Sequence, residues 1–211
     1  MTALSPTPMA MNKRIDRDFF RRPTLDVARQ LLGKRLVRIE KDGRRTAGLI
    51  RETEAYIGSD DLGCHASAGH TARNSSMWGP PGHAYVYFIY GMHWMLNFVT
   101  EKEGFPAAVL LRGLKPSEGM ERIRARRTGR PEKEWTNGPA KICQALGIDG
   151  TFDGTDLCKP TTQLFLEAGL EIPASRVTTS PRVGLYSVEE PWKSIPWRFQ
   201  ASDDIFAEER R

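Results

Sequence analysis

Apolar residues recur at helical spacing over "PTLDVARQLLG", where Val27, Ala28, Leu31 and Leu32 form one stripe, Thr24 stands at the N-cap position and Gly33 follows the last turn. The period then changes to two. "KRLVRIE" and "RTAGLIRETEAYIG" predict a pair of strands joined by the turn "KDG". "HAYVYFIYGMHWMLNFVT" predicts two more strands reversing near Tyr90 and Gly91, and "AAVLLRGL" predicts another. Helical spacing returns in "SEGMERIRARR", with Ser117 placed to cap it and Met120 and Ile123 facing inward. It returns again in "NGPAKICQALGI", which opens at Asn137, carries Pro139 in its first turn and stacks Ile142, Ala145 and Leu146.

Between residues 148 and 185 the pattern gives turns and short strands, and the last dozen residues read as loose. Residues 1–17 contain Pro, Ser and Thr without periodicity, which predicts a flexible tail. The expected organisation is therefore that tail, one domain over 18–203, and a loose C-terminal tail over 204–211. With no internal repeat and no break in composition, the pattern predicts a single α+β domain with a largely antiparallel sheet.

Composition narrows the function classes. A chain of 211 residues can bury roughly 70% of its unfolded surface. Its 31 Lys+Arg against 26 Asp+Glu give a net charge of +5, which favours an anionic partner such as nucleic acid. Three scattered cysteines, Cys64, Cys143 and Cys158, suit a reducing compartment. The N-terminus lacks the layout of a secretory signal, so a cytoplasmic protein (at the nucleoid in a bacterium) or a nuclear one is expected. The most apolar stretch, "AYVYFIYGMHWMLNFV", is shorter than the ~20 residues of a spanning helix and contains Gly91, His93 and Asn97, so no membrane span is expected.

Candidate chemistry centres on "RETEAYIG". Strand alternation puts Ile50, Glu52, Glu54 and Tyr56 on one face, where two carboxylates repel unless solvated or given separate partners. The stretch fits an edge strand with a wet face; it also fits a general base beside a flat aromatic surface. Tyr85 and Tyr87 share a strand face and suit core packing, whereas Tyr90 sits at the hairpin tip, where it buries little. An aromatic wedged into a stack of bases would explain it. Arg73, Arg112, Lys141 and the cluster from Arg122 to Arg130 are candidates for phosphate contacts, although a run such as "RIRARRTGR" is more often a solvated helix face. "GCHASAGHTARN" offers Cys64, His65 and His70 but no second ligand cluster, so no metal is expected. Signatures of esterases, P-loop NTPases and dinucleotide-binding folds are absent from the sequence.

Taken together, "RETEAYIG", "CH" at 64 and 65, "TARNSSMWGPPGHAYVYFIYGMHWMLN", "AAVLLRGLKP" and "NGPAKICQAL" resemble the alkyladenine (3-methyladenine) DNA glycosylase family, in order and at nearly the same spacing from about Phe19 to Trp197. The resemblance implies a curved, mainly antiparallel sheet flanked by helices, with a protruding β-hairpin, like the C-terminal domain of formyltransferases. It also implies a monofunctional, cofactor-free enzyme that acts as a monomer. Such an enzyme flips alkylated or deaminated purines out of double-stranded DNA and cuts the N-glycosidic bond.

By the family pattern Glu54 is the general base for water, Arg112 helps position that water, and the backbone carbonyl of Val183 is its third anchor. Glu52 has no family role and reads as a structural or solvated partner. Tyr56, His65 and Tyr87 match the slot that sandwiches the flipped base, and Asn97 matches the position that crowds a guanine 2-amino group. Tyr90 matches the residue that fills the vacated gap, with Met92 beside it on the DNA. Between His65 and Arg73 the chain is one residue shorter than the family pattern, and the pattern fixes no residue type at His93 and Trp94. Three rivals lie outside this reading: a helix–hairpin–helix glycosylase, of which "NGPAKICQALGI" is only a superficial echo; a non-catalytic binder of damaged DNA; and a glycosylase/lyase, which needs an amine nucleophile that the matched catalytic positions lack.

Overall fold

The computed structural model of the chain describes residues 13–210; most of the expected N-terminal tail, residues 1–12, lies outside them. The eight strands among the described residues form one antiparallel sheet. They are β1 (Arg35–Ile39), β2 (Arg45–Ile57), β3 (Ala84–Ile89), β4 (His93–Val99), β5 (Ala107–Glu118), β6 (Leu164–Glu167), β7 (Val177–Ser180) and β8 (Arg198–Ala201). The main path runs β3-β4-β5-β2-β1-β6, and β8 joins it through β2, carrying β7 on its other side. Four short helices accompany the sheet: α1 (Arg17–Phe20), α2 (Thr24–Gln30), α3 (Met120–Arg126) and α4 (Pro139–Leu146). None among the described residues is long and apolar enough to cross a membrane.

The period-2 segments became strands because one face of each could be buried. Val27, Ala28 and Leu31 from the α2 segment pack with Leu49, Ile50 and Ala55 of β2, Leu111 and Leu114 of β5, and Ile142, Ala145 and Leu146 of α4. Each fully buried Leu or Ile stabilises the fold by about 1.5–3 kcal/mol. A smaller cluster gathers Cys64, Ala66, Met77, Tyr85 and Ala108, with Tyr56 and Tyr87 packed against it. The site lies over this second cluster.

Two predicted caps are replaced. Thr24 is the first residue of α2 rather than its cap, and its hydroxyl donates to Glu101 Oε1 at 2.6 Å. Ser117 belongs to β5, and α3 starts from Gly119 in the left-handed conformation (φ 72°), where a Cβ would come within 2.8 Å of the Arg45 carbonyl oxygen. In both places a tertiary partner outweighs local capping.

Described residues near both ends make contacts with the domain. Ile15 N–H donates to the Leu166 carbonyl at 2.9 Å, and Phe206, in a 3-10 segment over Asp203–Arg210, is buried. Strand β8 lies within the last fifteen residues and pairs Gln200, Phe199 and Arg198 with Glu52, Thr53 and Glu54. Its four residues, "RFQA", are too few to show alternation.

Strand β2 is the hub. Its first part pairs with β1, its middle with β8, and nearly its whole length with β5. The β2–β5 register slips three times, once between Ala47 and Gly48 and twice near the site: Ile50 faces Leu114, Glu52 faces Gly113 and Thr53 faces Leu111, which leaves Arg51 and then Arg112 unopposed. These are β-bulges, which re-aim side chains locally. Strict alternation placed Ile50 beside Glu52 and Glu54. The extra residue at Arg51 breaks that parity, and Ile50 packs in the main core while both glutamates meet Arg112.

Candidate active site

Glu54 is flanked by Leu110 of β5 and Arg198 of β8, and its side chain is 0% exposed. Oε1 accepts the Val183 N–H at 2.7 Å; Oε2 accepts the Tyr56 hydroxyl at 2.9 Å and Arg112 Nη1 at 3.3 Å. Burial pushes the Glu54 carboxyl above its ordinary value, and the Arg112 charge, the Val183 amide and the Tyr56 hydroxyl oppose that only in part. The same burial, with the neighbouring Glu54 charge, keeps Tyr56 protonated far above neutral pH, so it serves as a donor.

Glu52 sits on the same bulged face and has its own partners. Its Oε1 accepts Arg198 Nε at 2.7 Å and Arg112 Nε at 3.3 Å. The repulsion between the two carboxylates is thus resolved by Arg112, which spans both, and by Arg198 on Glu52. Buried to 8% exposure, Glu52 is a structural partner rather than a solvated one.

A cavity of about 310 Å³ opens beside this cluster, lined among others by Tyr56, His65, Tyr87, Asn97, Tyr90 and Arg112. That is the lower end of the range for small-ligand pockets. His65, in the 3-10 turn His65–Ala68, places Nδ1 2.8 Å from the Tyr85 hydroxyl. Burial, helped by the charge of Arg73, lowers the His65 pKa and keeps the imidazole neutral at pH 7. The His65 and Tyr87 rings touch edge to face, with centroids 4.5 Å apart at 73°. Nothing planar inserts between those two rings, and Tyr56 lines the same cavity. Asn97 is buried, and its side-chain amide donates to the Tyr85 carbonyl at 3.0 Å. That bond fixes the orientation of the amide at the cavity wall.

The predicted reversal at Tyr90 and Gly91 is a tight turn. The Met92 N–H closes onto the Ile89 carbonyl at 3.2 Å, and Tyr90 (φ 55°) and Gly91 (φ 66°) both take positive φ, as a type I′ turn requires. Tyr90 is 79% exposed and Met92 67%. Arg73, also exposed, donates to the Phe88 carbonyl at 3.1 Å and lies near the Tyr87 ring. Lys141 on α4 donates to Asn137 Oδ1 at 2.8 Å. In the Arg122–Arg130 cluster, Arg122 contacts Asp42, Arg126 forks onto Glu40 at 2.9 Å and Arg127 contacts Gln144. Those three arginines are fastened to the fold, which differs from a solvated face.

The structure places the sequence candidates Arg112, Val183, Tyr56, His65, Tyr87, Asn97 and Tyr90 on the lining of one cavity, with Glu54 fully buried behind it and bonded to the first three. Val183 also enters the cluster in a way the sequence did not indicate: its N–H donates to Glu54 Oε1. Sequence reasoning missed Arg182 and Asp61, a fully buried pair behind Tyr56. They lie 121 residues apart, and no spacing rule joins "SDD" to "SPR". Cys64 and His70 take other partners, Met77 and Trp78. Among the described residues no group of three His, Cys, Asp or Glu side chains is placed to hold a metal ion.

The family model described as methylpurine-DNA glycosylase matches residues 18–205 of the chain. A protein of Chlorobaculum parvum named "Putative 3-methyladenine DNA glycosylase" is 47% identical over 184 residues, covering 87% of each chain. Relatives given the same name in Methanocella arvoryzae and Streptomyces avermitilis are 48% and 46% identical, covering 88% and 90% of this chain and 90% and 88% of their own.

Proposed function

This chain belongs to the methylpurine-DNA glycosylase family and is a DNA-repair hydrolase, a DNA-3-methyladenine glycosylase; on that premise we propose that it flips alkylated or deaminated purines out of duplex DNA and hydrolyses the N-glycosidic bond with a water activated by Glu54. The observation that carries this reading is the Glu54 cluster: a buried carboxylate held by Val183 N–H, Tyr56 and Arg112 against a cavity large enough for a base.

Base flipping comes first, because C1′ cannot be reached within the stack; unstacking costs a few kcal/mol. Tyr90, with Met92 beside it, fills the gap, and Arg73 and Lys141 meet the phosphate backbone. The freed purine lies between Tyr56 and the His65–Tyr87 wall. N-alkylated purines are cationic, so they stack well on aromatic faces, and the neutral His65 adds no opposing charge. They are also better leaving groups. Asn97, fixed by its bond to Tyr85, crowds a guanine 2-amino group and excludes normal guanine.

For the hydrolytic step a water enters between Arg112 and Glu54, where the present contact is long, 3.3 Å. Glu54 takes its proton as oxygen attacks C1′, and its charge stabilises the oxocarbenium-like centre. A carboxylate whose pKa is raised by burial is a stronger base than an ordinary one. The purine leaves and an abasic site remains. No lysine is among the residues lining the cavity, which supports hydrolysis over a lyase step through an amine. All these groups come from one chain, so the mechanism requires only a monomer, wherever its DNA lies, in the cytoplasm or nucleus.

The test is base release from duplexes carrying one hypoxanthine or one ethenoadenine, and from methylated DNA, with EDTA present and alkali revealing abasic sites. Release by wild type and its loss in Glu54→Gln, with binding retained, is the expected result. Lesion binding without release from any substrate would leave a damage binder and sink the catalytic assignment.

A further inference from the structure

Glu54 is held by a backbone amide, and that amide sits in a loop. Val183 belongs to no helix or strand, is 37% exposed, and is followed by Gly184, whose added Cβ would meet nothing within 4 Å. Local packing therefore fixes little of its position. The residue before it is fixed on every side. Arg182 and Asp61 have side chains 0% exposed and pair through two bonds, Nη1 to Oδ2 at 2.5 Å and Nη2 to Oδ1 at 2.7 Å. Nη1 also donates to the carbonyl of Ala55, the residue after Glu54, at 3.0 Å, and Nη2 reaches the Trp192 carbonyl at 3.3 Å.

The same guanidinium lies 4.6 Å from the centroid of the Tyr56 ring. Asp61 in turn accepts the N–H groups of Ile57 at 3.2 Å and Gly63 at 2.9 Å. A Cβ on Gly63 would come within 2.9 Å of Arg182 Nη2, so the two loops are in close contact. One buried ion pair thus ties the catalytic strand, the back of the stacking ring and the loop bearing the Val183 amide.

We propose that the Arg182–Asp61 pair is a positioning device for excision: it aims the Val183 N–H at Glu54 and backs Tyr56 against the flipped base. This rests on the reading of Glu54 as the base. The groups facing Glu54 that bear on its ionisation are Arg112 from β5, Tyr56 and Glu52 from β2, and the Val183 amide. Arg182 acts through the last of these and is fully buried outside the cavity lining, so it is a positioning residue. A purely structural pair would stabilise the loops and leave the chemistry alone.

Removing one partner strands a buried charge and threatens folding, whereas replacing a buried ion pair with apolar side chains of similar volume is often tolerated. The decisive variant is therefore the paired change Asp61→Leu with Arg182→Met. Four quantities would be measured: melting temperature, single-turnover release from an ethenoadenine duplex, affinity for a duplex with a tetrahydrofuran abasic analogue, and the Glu54 titration in free enzyme by carboxyl ¹³C NMR. The expected result is a folded protein with release slowed 10- to 100-fold, abasic-duplex affinity within about threefold of wild type, and Glu54 titrating at higher pH. The last follows because a loosened amide favours the carboxylate less.

Wild-type release and an unmoved Glu54 titration in a folded paired variant would overturn the proposal. If the pair does not fold, Arg182→Lys decides: it keeps the charge but lacks the planar fork, and an unmoved rate and titration there count equally against positioning. Should wild type itself release no base, the glycosylase chemistry falls, while the Glu54 titration still reads whether the pair aims the amide.

Discussion

The Glu54 floor and the Tyr90 tip belong to one cavity and are built on opposite terms. Glu54 is 0% exposed, and three donors from β2, β5 and the 181–186 loop converge on it. Tyr90 is 79% exposed and holds a positive φ that a bulky side chain rarely adopts, a strain of about 1–3 kcal/mol. Both cost stability, since a buried carboxylate is unfavourable as well. At the floor the fold itself supplies the compensation, through Arg112, Arg198 and the Arg182–Asp61 pair. At the tip nothing among the described residues does. On the proposed reading, the difference teaches that the chemistry is organised before DNA arrives, whereas the tip is left for the DNA to complete.

The sharpest way to break this comparison is to remove the floor's charge. Glu54→Gln is expected to slow single-turnover release by about 10²–10⁴-fold, the usual weight of general base catalysis, while lesion-duplex affinity changes little. A comparable loss of affinity would mean that floor and tip are not separable. The pH dependence carries the same logic. Because the Glu54 pKa is raised by burial, activity should fall on the acid side at a pH above the ordinary glutamate value of ~4.3. Arg112→Met removes the largest opposing charge and should move that acid limb to still higher pH. In stability the sign reverses. A raised folded-state pKa contributes stability below the unfolded value and loses it as pH rises through the folded one. The melting temperature of wild type relative to Glu54→Gln should therefore decline with rising pH across that window.

The tip should answer differently. Tyr90→Ala removes a stacking group worth about 1–3 kcal/mol, so affinity for a lesion duplex should drop roughly 10- to 100-fold with the melting temperature unchanged. Tyr90→Gly should bind as poorly yet melt about 2–4 °C higher, because glycine relieves the left-handed backbone for ~1 kcal/mol. Calorimetry beside fluorescence anisotropy checks both. A tip variant that melts lower would show that Tyr90 is held by the fold after all.

The sequence made parts of each region legible for separate reasons. Alternation in "RETEAY" and the Tyr-Gly reversal are local patterns, and both survive in the structure as β2 and the β3–β4 turn. What alternation could not show is the double register slip at Arg51 and Arg112, because a bulge depends on the partner strand. The slip is what sends Ile50 to the core and lets Arg112 span Glu52 and Glu54. Strand β8 and the Arg182–Asp61 pair were equally hidden. Four residues show no period, and two charges 121 residues apart become partners only once the loops close. The resemblance singled out Glu54, Arg112 and Val183, which form one hydrogen-bonded cluster, but the bond from the Val183 N–H to Glu54 was not legible in the sequence.

The smallest expected effect separates backbone contacts from both regions. Lys141 on α4 holds only Asn137 among the described residues, at 2.8 Å, and is partly exposed. If it neutralises one phosphate, Lys141→Gln should reduce the slope of log affinity against log salt by about 0.9, equally for lesion and undamaged duplexes. Release at saturating enzyme should stay at the wild-type rate, because the floor does not depend on it. Titrations at several salt concentrations read the slope directly. A change confined to lesion duplexes would instead place Lys141 with the tip, among groups that sense the flipped state rather than the backbone.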